Sequence, residues 1–128
     1  MSEIQEQVHN KFKVFTGTLQ ADNTLGPLAD EVSRFVQESN IAPKSIGVEY
    51  LESAERLILS LGYRDDEPGY PVTLHSVPLG KVDTSGSDFQ ALEHKMAQAS
   101  SGLSNIICHE LYITDEQDLL MVFMTHQK

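Results

Sequence analysis

Basic residues are scarce in this chain: 9 lysines and arginines stand against 19 aspartates and glutamates, a formal net charge of −10 at pH 7. A surface of that sign repels phosphate backbones and anionic lipid, which argues against nucleic-acid and membrane-surface partners. Cysteine is nearly absent. Cys108 is the only one, so no internal disulfide can form and no Cys-based structural zinc site can be assembled. A reducing cytoplasm is the compartment that fits. No apolar run approaches the ~20 residues that span a bilayer. The opening residues, Met1-Ser2-Glu3-Ile4-Gln5-Glu6-Gln7, are polar and acidic, unlike a secretory leader. Catalytic signatures are missing too: no Walker A loop, no Gly-x-Gly-x-x-Gly fingerprint and no Gly-x-Ser-x-Gly elbow. His9, His75, His94, His109 and His126 show no local ligand spacing, and neither a metal nor a cofactor is expected.

What the chain does have is enough apolar material for one domain. Its 128 residues are 40% hydrophobic. Residues 1–10 read as a polar arm and 11–128 as a single domain. Residues 11–19 have the β-branched and aromatic content of a strand. A helix is expected to start near Gly26-Pro27, since proline suits a first helical position. Leu25, Leu28, Ala29, Val32, Phe35 and Val36 form its apolar stripe, and Pro43 closes it. Strands follow at about 45–52 and 56–63, where Ile46, Val48 and Tyr50, then Leu57, Leu59, Leu61 and Tyr63, alternate. The short polar link Glu52-Ser53-Ala54-Glu55 makes them an antiparallel hairpin. Residues 64–71 are a loop with Pro-Gly and three acids, and 72–77 form a fourth strand.

Asp83-Thr84-Ser85-Gly86 leads into a second helix, with Ser87 and Gln90 at capping-box spacing and Phe89, Leu92, Met96 and Ala99 as its buried stripe. Capping accounts for this hydroxyl-rich start better than phosphate binding does. A last hairpin occupies about 105–113 and 119–126. The order β-α-β-β-β-α-β-β implies an α+β two-layer sandwich: one mostly antiparallel sheet of about six strands, with both helices on one face, a ferredoxin-like variant with extra strands. No internal repeat is visible.

The densest chemistry lies in the last hairpin. Leu119-Leu120-Met121-Val122-Phe123-Met124 is an uninterrupted apolar run, so both faces of that strand need cover. If Ile113 pairs with Leu119, one face carries His109, Leu111, Ile113, Met121 and Phe123 and reads as core. The other carries Cys108, Glu110, Tyr112, Leu120, Val122, Met124 and His126, a mixture that suits a pocket or a homodimer interface. Two functions follow. One is a binding or regulatory module that self-associates through this face, for a small-molecule or protein partner. The alternative is a small cofactor-free enzyme, an isomerase, lyase or monooxygenase-like protein, with His75, Glu110 and Tyr112 as acid–base candidates in a pocket between sheet and dimer partner. Docking on a larger complex through a sheet edge is a third class.

Overall fold

The computed structural model describes residues 10–81, 89–114 and 118–127. Along them run β1 (Asn10–Gly17), α1 (Pro27–Ser39), β2 (Ala42–Leu51), β3 (Arg56–Arg64), β4 (Val72–Gly80), α2 (Gln90–Ala99), β5 (Ile106–Ile113) and β6 (Leu119–His126). The class is α+β, every strand pair is antiparallel, and the order of elements is the expected one. Of the expected arm at 1–10, Asn10 opens β1, while residues 1–9 and the capping pair's Ser87 lie outside the described residues.

The expected single sheet is in fact two three-stranded sheets, β1-β3-β2 and β4-β6-β5. β2 and β5 lie side by side without joining in a ladder. Each carries a register break, at Pro43/Ser45 in β2 and at Ile106/Cys108 in β5. A proline offers no N–H to a ladder, and a bulge bends its strand. The Ile46 N–H, moreover, is bonded to the Cys108 sulfur.

A repeat invisible in the sequence appears in the topology. β1-α1-β2-β3 and β4-α2-β5-β6 are the same β-α-β-β unit, and in each sheet the third strand enters between the first two.

α1 starts at Pro27, after Gly26 with φ 58°. It ends at Asn40, in the left-handed conformation with its N–H on the Val36 carbonyl, three residues before the expected stop at Pro43. Its buried stripe is Leu28, Val32 and Val36. The helix touches both β1 and β4 and belongs to one core cluster with the inner faces of both sheets, including Leu57, Leu59, Leu61, Leu74, Tyr112, Leu120, Val122 and Met124.

The expected second helix burying Phe89, Leu92, Met96 and Ala99 is corrected. Nothing on α2 is buried, and Phe89, just before it, is 48% exposed. α2 rests beside Val77–Leu79 of β4, with Lys95 Nζ donating to the Leu79 carbonyl at 3.0 Å. The two helices therefore do not cover one common face.

The last hairpin has the supposed register: Ile113 opposite Leu119, His109 opposite Phe123 and Glu110 opposite Val122. Met121 and Phe123 are buried as expected, but the opposite face of β6 is buried too. Leu120, Val122 and Met124, proposed as interface, have no exposed surface and form the interior with α1. Met121 and Phe123, on the opposite face, are also buried, at 2% and 3% exposure, outside that cluster. One chain thus covers both faces of β6. On β5 the residues expected in the core, His109 and Ile113, are exposed.

Candidate functional site

The candidates named from sequence do not converge. His75 lies on the outer face of the second sheet, its Nε2 3.0 Å from Thr125 Oγ1 and its backbone opposite Phe123. Glu110 pairs with Val122 and shares the inner face. The two are on opposite faces with β6 between them, so no proton can pass directly from one to the other. His126 stacks on Tyr70. Its Nδ1 is 2.6 Å from the Gln127 carbonyl, and since a carbonyl only accepts, Nδ1 carries the proton. Cys108 is half-buried. Burial pushes its thiol up to about 11, the Glu110 charge adds to the rise, and the Ile46 N–H opposes it. Such a thiol is a poor nucleophile. No group of three potential metal ligands comes together among the described residues.

Of the acid–base candidates, Tyr112 lines a cavity. At one end of the molecule, the segment leaving β1, the β2–β3 turn and the end of β5 enclose about 470 Å³. That volume lies in the range of small-molecule sites. Its base is apolar: Leu57 is 2% exposed and Tyr112 8%. Alternation along the inner faces puts both there, and carries Tyr50 to the rim two residues past Val48. Thr18, Gln20, Asn23, Glu55 and Thr114 add polar groups.

The walls are held by their own hydrogen bonds. Gln20 N–H donates to the Thr24 carbonyl at 2.9 Å and Asn23 N–H to the Gln20 carbonyl at 2.9 Å. The Thr24 hydroxyl donates to Asp22 Oδ1 at 2.7 Å, which holds that carboxyl below its usual range. Leu25 N–H donates to Ser76 Oγ at 3.1 Å and pins the segment to β4. Gly26 lets the chain turn under Gln20, whose side chain occupies the place a Cβ would need. Across the cavity, Ala54 and Glu55 donate N–H groups to the Leu51 and Glu52 carbonyls. This winds Glu55 to φ 53°.

The other non-glycine residues at positive φ among the described ones are Asn23, Asn40 and Asn105. Asparagine tolerates that region, whereas a glutamate there is strained. Two of these four residues, Asn23 and Glu55, line this cavity.

A second depression, of about 500 Å³ between β1 and α1, is a weaker candidate. Of its two aromatic rings, Phe15 and Phe35, the second is already engaged by the first, by Tyr63 and by the Lys13 ammonium. Its rim mixes Lys13 and Arg34 with Glu31 and Glu38.

Tyr50, Glu55 and residues 18–23 escaped the sequence reading. Each looks like ordinary strand-end or turn chemistry, and only the meeting of three separate chain segments makes them neighbours. Comparisons of the chain with protein-family models, with curated proteins and with solved structures gave no match.

Proposed function

We propose that this protein is a binding module that takes a small molecule into the cavity between its two sheets. The observation that carries this reading is the cavity itself: about 470 Å³, with an apolar base and a polar rim on hydrogen-bonded walls. Binding is favoured over the enzyme reading because His75 and Glu110 lie on opposite faces of their sheet and only Tyr112 reaches the cavity. The lone, half-buried thiol fits a cytoplasmic setting. Titration of the ¹⁵N-labelled protein with mixtures of small aromatic and aliphatic compounds tests the proposal. Shifts concentrated at the amides of Leu19, Tyr50, Glu55 and Tyr112 are the expected result. Binding confined to other regions, or none at millimolar concentrations, overturns it.

Self-association is a separate proposal, and β6 no longer motivates it. Phe12 and Val14 do: they are 71% and 56% exposed on the outer face of the edge strand β1. A monomer mass by light scattering at tens of micromolar protein overturns it.

A further inference from the structure

We infer that the cavity selects an organic cation, a compact amine with an apolar or aromatic body. This rests on the binding reading above. Three observations lead to it. Among the described residues the lining contains one carboxylate, Glu55, and no lysine, arginine or histidine. Among the described residues no side chain pairs with that carboxylate, although the acids at 65–67 are tied up with Lys11, Arg64 and Lys44.

Two tyrosines, Tyr50 and Tyr112, line the same space, and the negative face of an aromatic ring attracts a cation. Finally, Glu55 is the one residue other than glycine or asparagine at positive φ among the described residues. Strained conformations of this kind gather at ligand clamps. A net charge of −10 adds a long-range field that concentrates cations and repels phosphates and carboxylates.

In this arrangement the ammonium lies between Glu55 and the Tyr50 ring. The body of the ligand rests on Leu57 and Tyr112, and the amides and hydroxyls of Gln20, Asn23 and Thr114 orient it.

Three probes of one shape separate charge from fit: tyramine, its neutral alcohol counterpart tyrosol, and the anion 4-hydroxyphenylacetate. Each is titrated into the ¹⁵N-labelled full chain. Tyramine is expected to bind at the cavity about fivefold more tightly than tyrosol, the upper range for a partly exposed ion pair, with the anion weakest. In Glu55→Gln the tyramine advantage over tyrosol should vanish, with the dispersion of the ¹⁵N spectrum showing that the variant is folded. Equal affinity of tyramine and tyrosol in the parent protein overturns cation selection while the binding reading stands. An advantage for the anion, or a tyramine preference that survives Glu55→Gln, overturns it as well. If none of the three moves the cavity amides, the binding reading falls and this inference with it.

Discussion

The rings of Tyr70 and His126 are stacked, with centroids 4.4 Å apart and planes 17° from parallel. Tyr70 also donates its hydroxyl to the Pro43 carbonyl at 2.7 Å and its N–H to the Ile41 carbonyl at 3.3 Å. His126 ends β6 in the second sheet and Pro43 is the second residue of β2 in the first. Tyr70 therefore ties the two sheets together where no ladder does. Tyr70→Phe should lose about 1 kcal/mol, the net value of one hydrogen bond. Tyr70→Ala should lose about 3 kcal/mol, because the stacked ring goes as well. Urea unfolding checks both, and a Tyr70→Ala variant as stable as the parent would refute the tie.

Both faces of β6 are closed, so Val122→Glu and Phe123→Glu should both unfold the protein. An unpaired buried carboxylate costs several kcal/mol, roughly the whole stability of a domain this size. Ile113→Glu, at a site 56% exposed, should fold normally. Far-UV circular dichroism of the three variants decides the matter. A folded Val122→Glu would show that the inner face is misplaced.

The same strand marks how far the sequence can be read. Period-2 alternation at Leu57, Leu59 and Leu61 defines the inner face of β3, and the i, i+4 spacing of Leu28, Val32 and Val36 defines that of α1. The hairpin register follows from pairing Ile113 with Leu119. An uninterrupted apolar run carries no parity, however, so β6 cannot say which of its faces turns inward. Neighbouring β5 then misleads, because its polar-looking side, Cys108, Glu110 and Tyr112, is the one that packs inward. The split into two sheets goes with register breaks at Pro43/Ser45 and Ile106/Cys108, single-residue features of two strands far apart in sequence. The cavity is equally non-local, made by three chain segments that no local pattern connects.

Cys108 should react slowly with a disulfide reagent at pH 8, because a thiol raised to about 11 is almost wholly protonated there. Unfolding in urea should expose it to rapid reaction. The raised value also affects stability. In the unfolded chain the thiol ionises near its ordinary value of 9.0, while in the folded protein it keeps its proton to about 11. Between those values the folded state binds more protons, so stability from this group is complete below pH 9 and falls as pH rises towards 11. Cys108→Ala should flatten that part of the pH profile. An unchanged profile would show that the buried thiol has no part in it.

Glu55 yields a prediction that needs no ligand. At φ 53° a glutamate pays roughly 1–2 kcal/mol relative to a relaxed backbone, whereas glycine takes the same angle without strain but has more freedom to lose on folding, roughly 0.5–1 kcal/mol. Glu55→Gly should therefore stabilise the protein by about 0.5–1 kcal/mol, seen as a higher urea midpoint at unchanged slope. Glu55→Asn should gain a similar amount, and Glu55→Ala, whose Cβ keeps the strain, should gain little. A lower midpoint for Glu55→Gly would mean that the turn relies on the glutamate for its own stability. A higher one would leave a carboxylate at a position where folding alone prefers glycine or asparagine, which is the pattern of a residue kept for what it meets in the cavity rather than for the turn it strains.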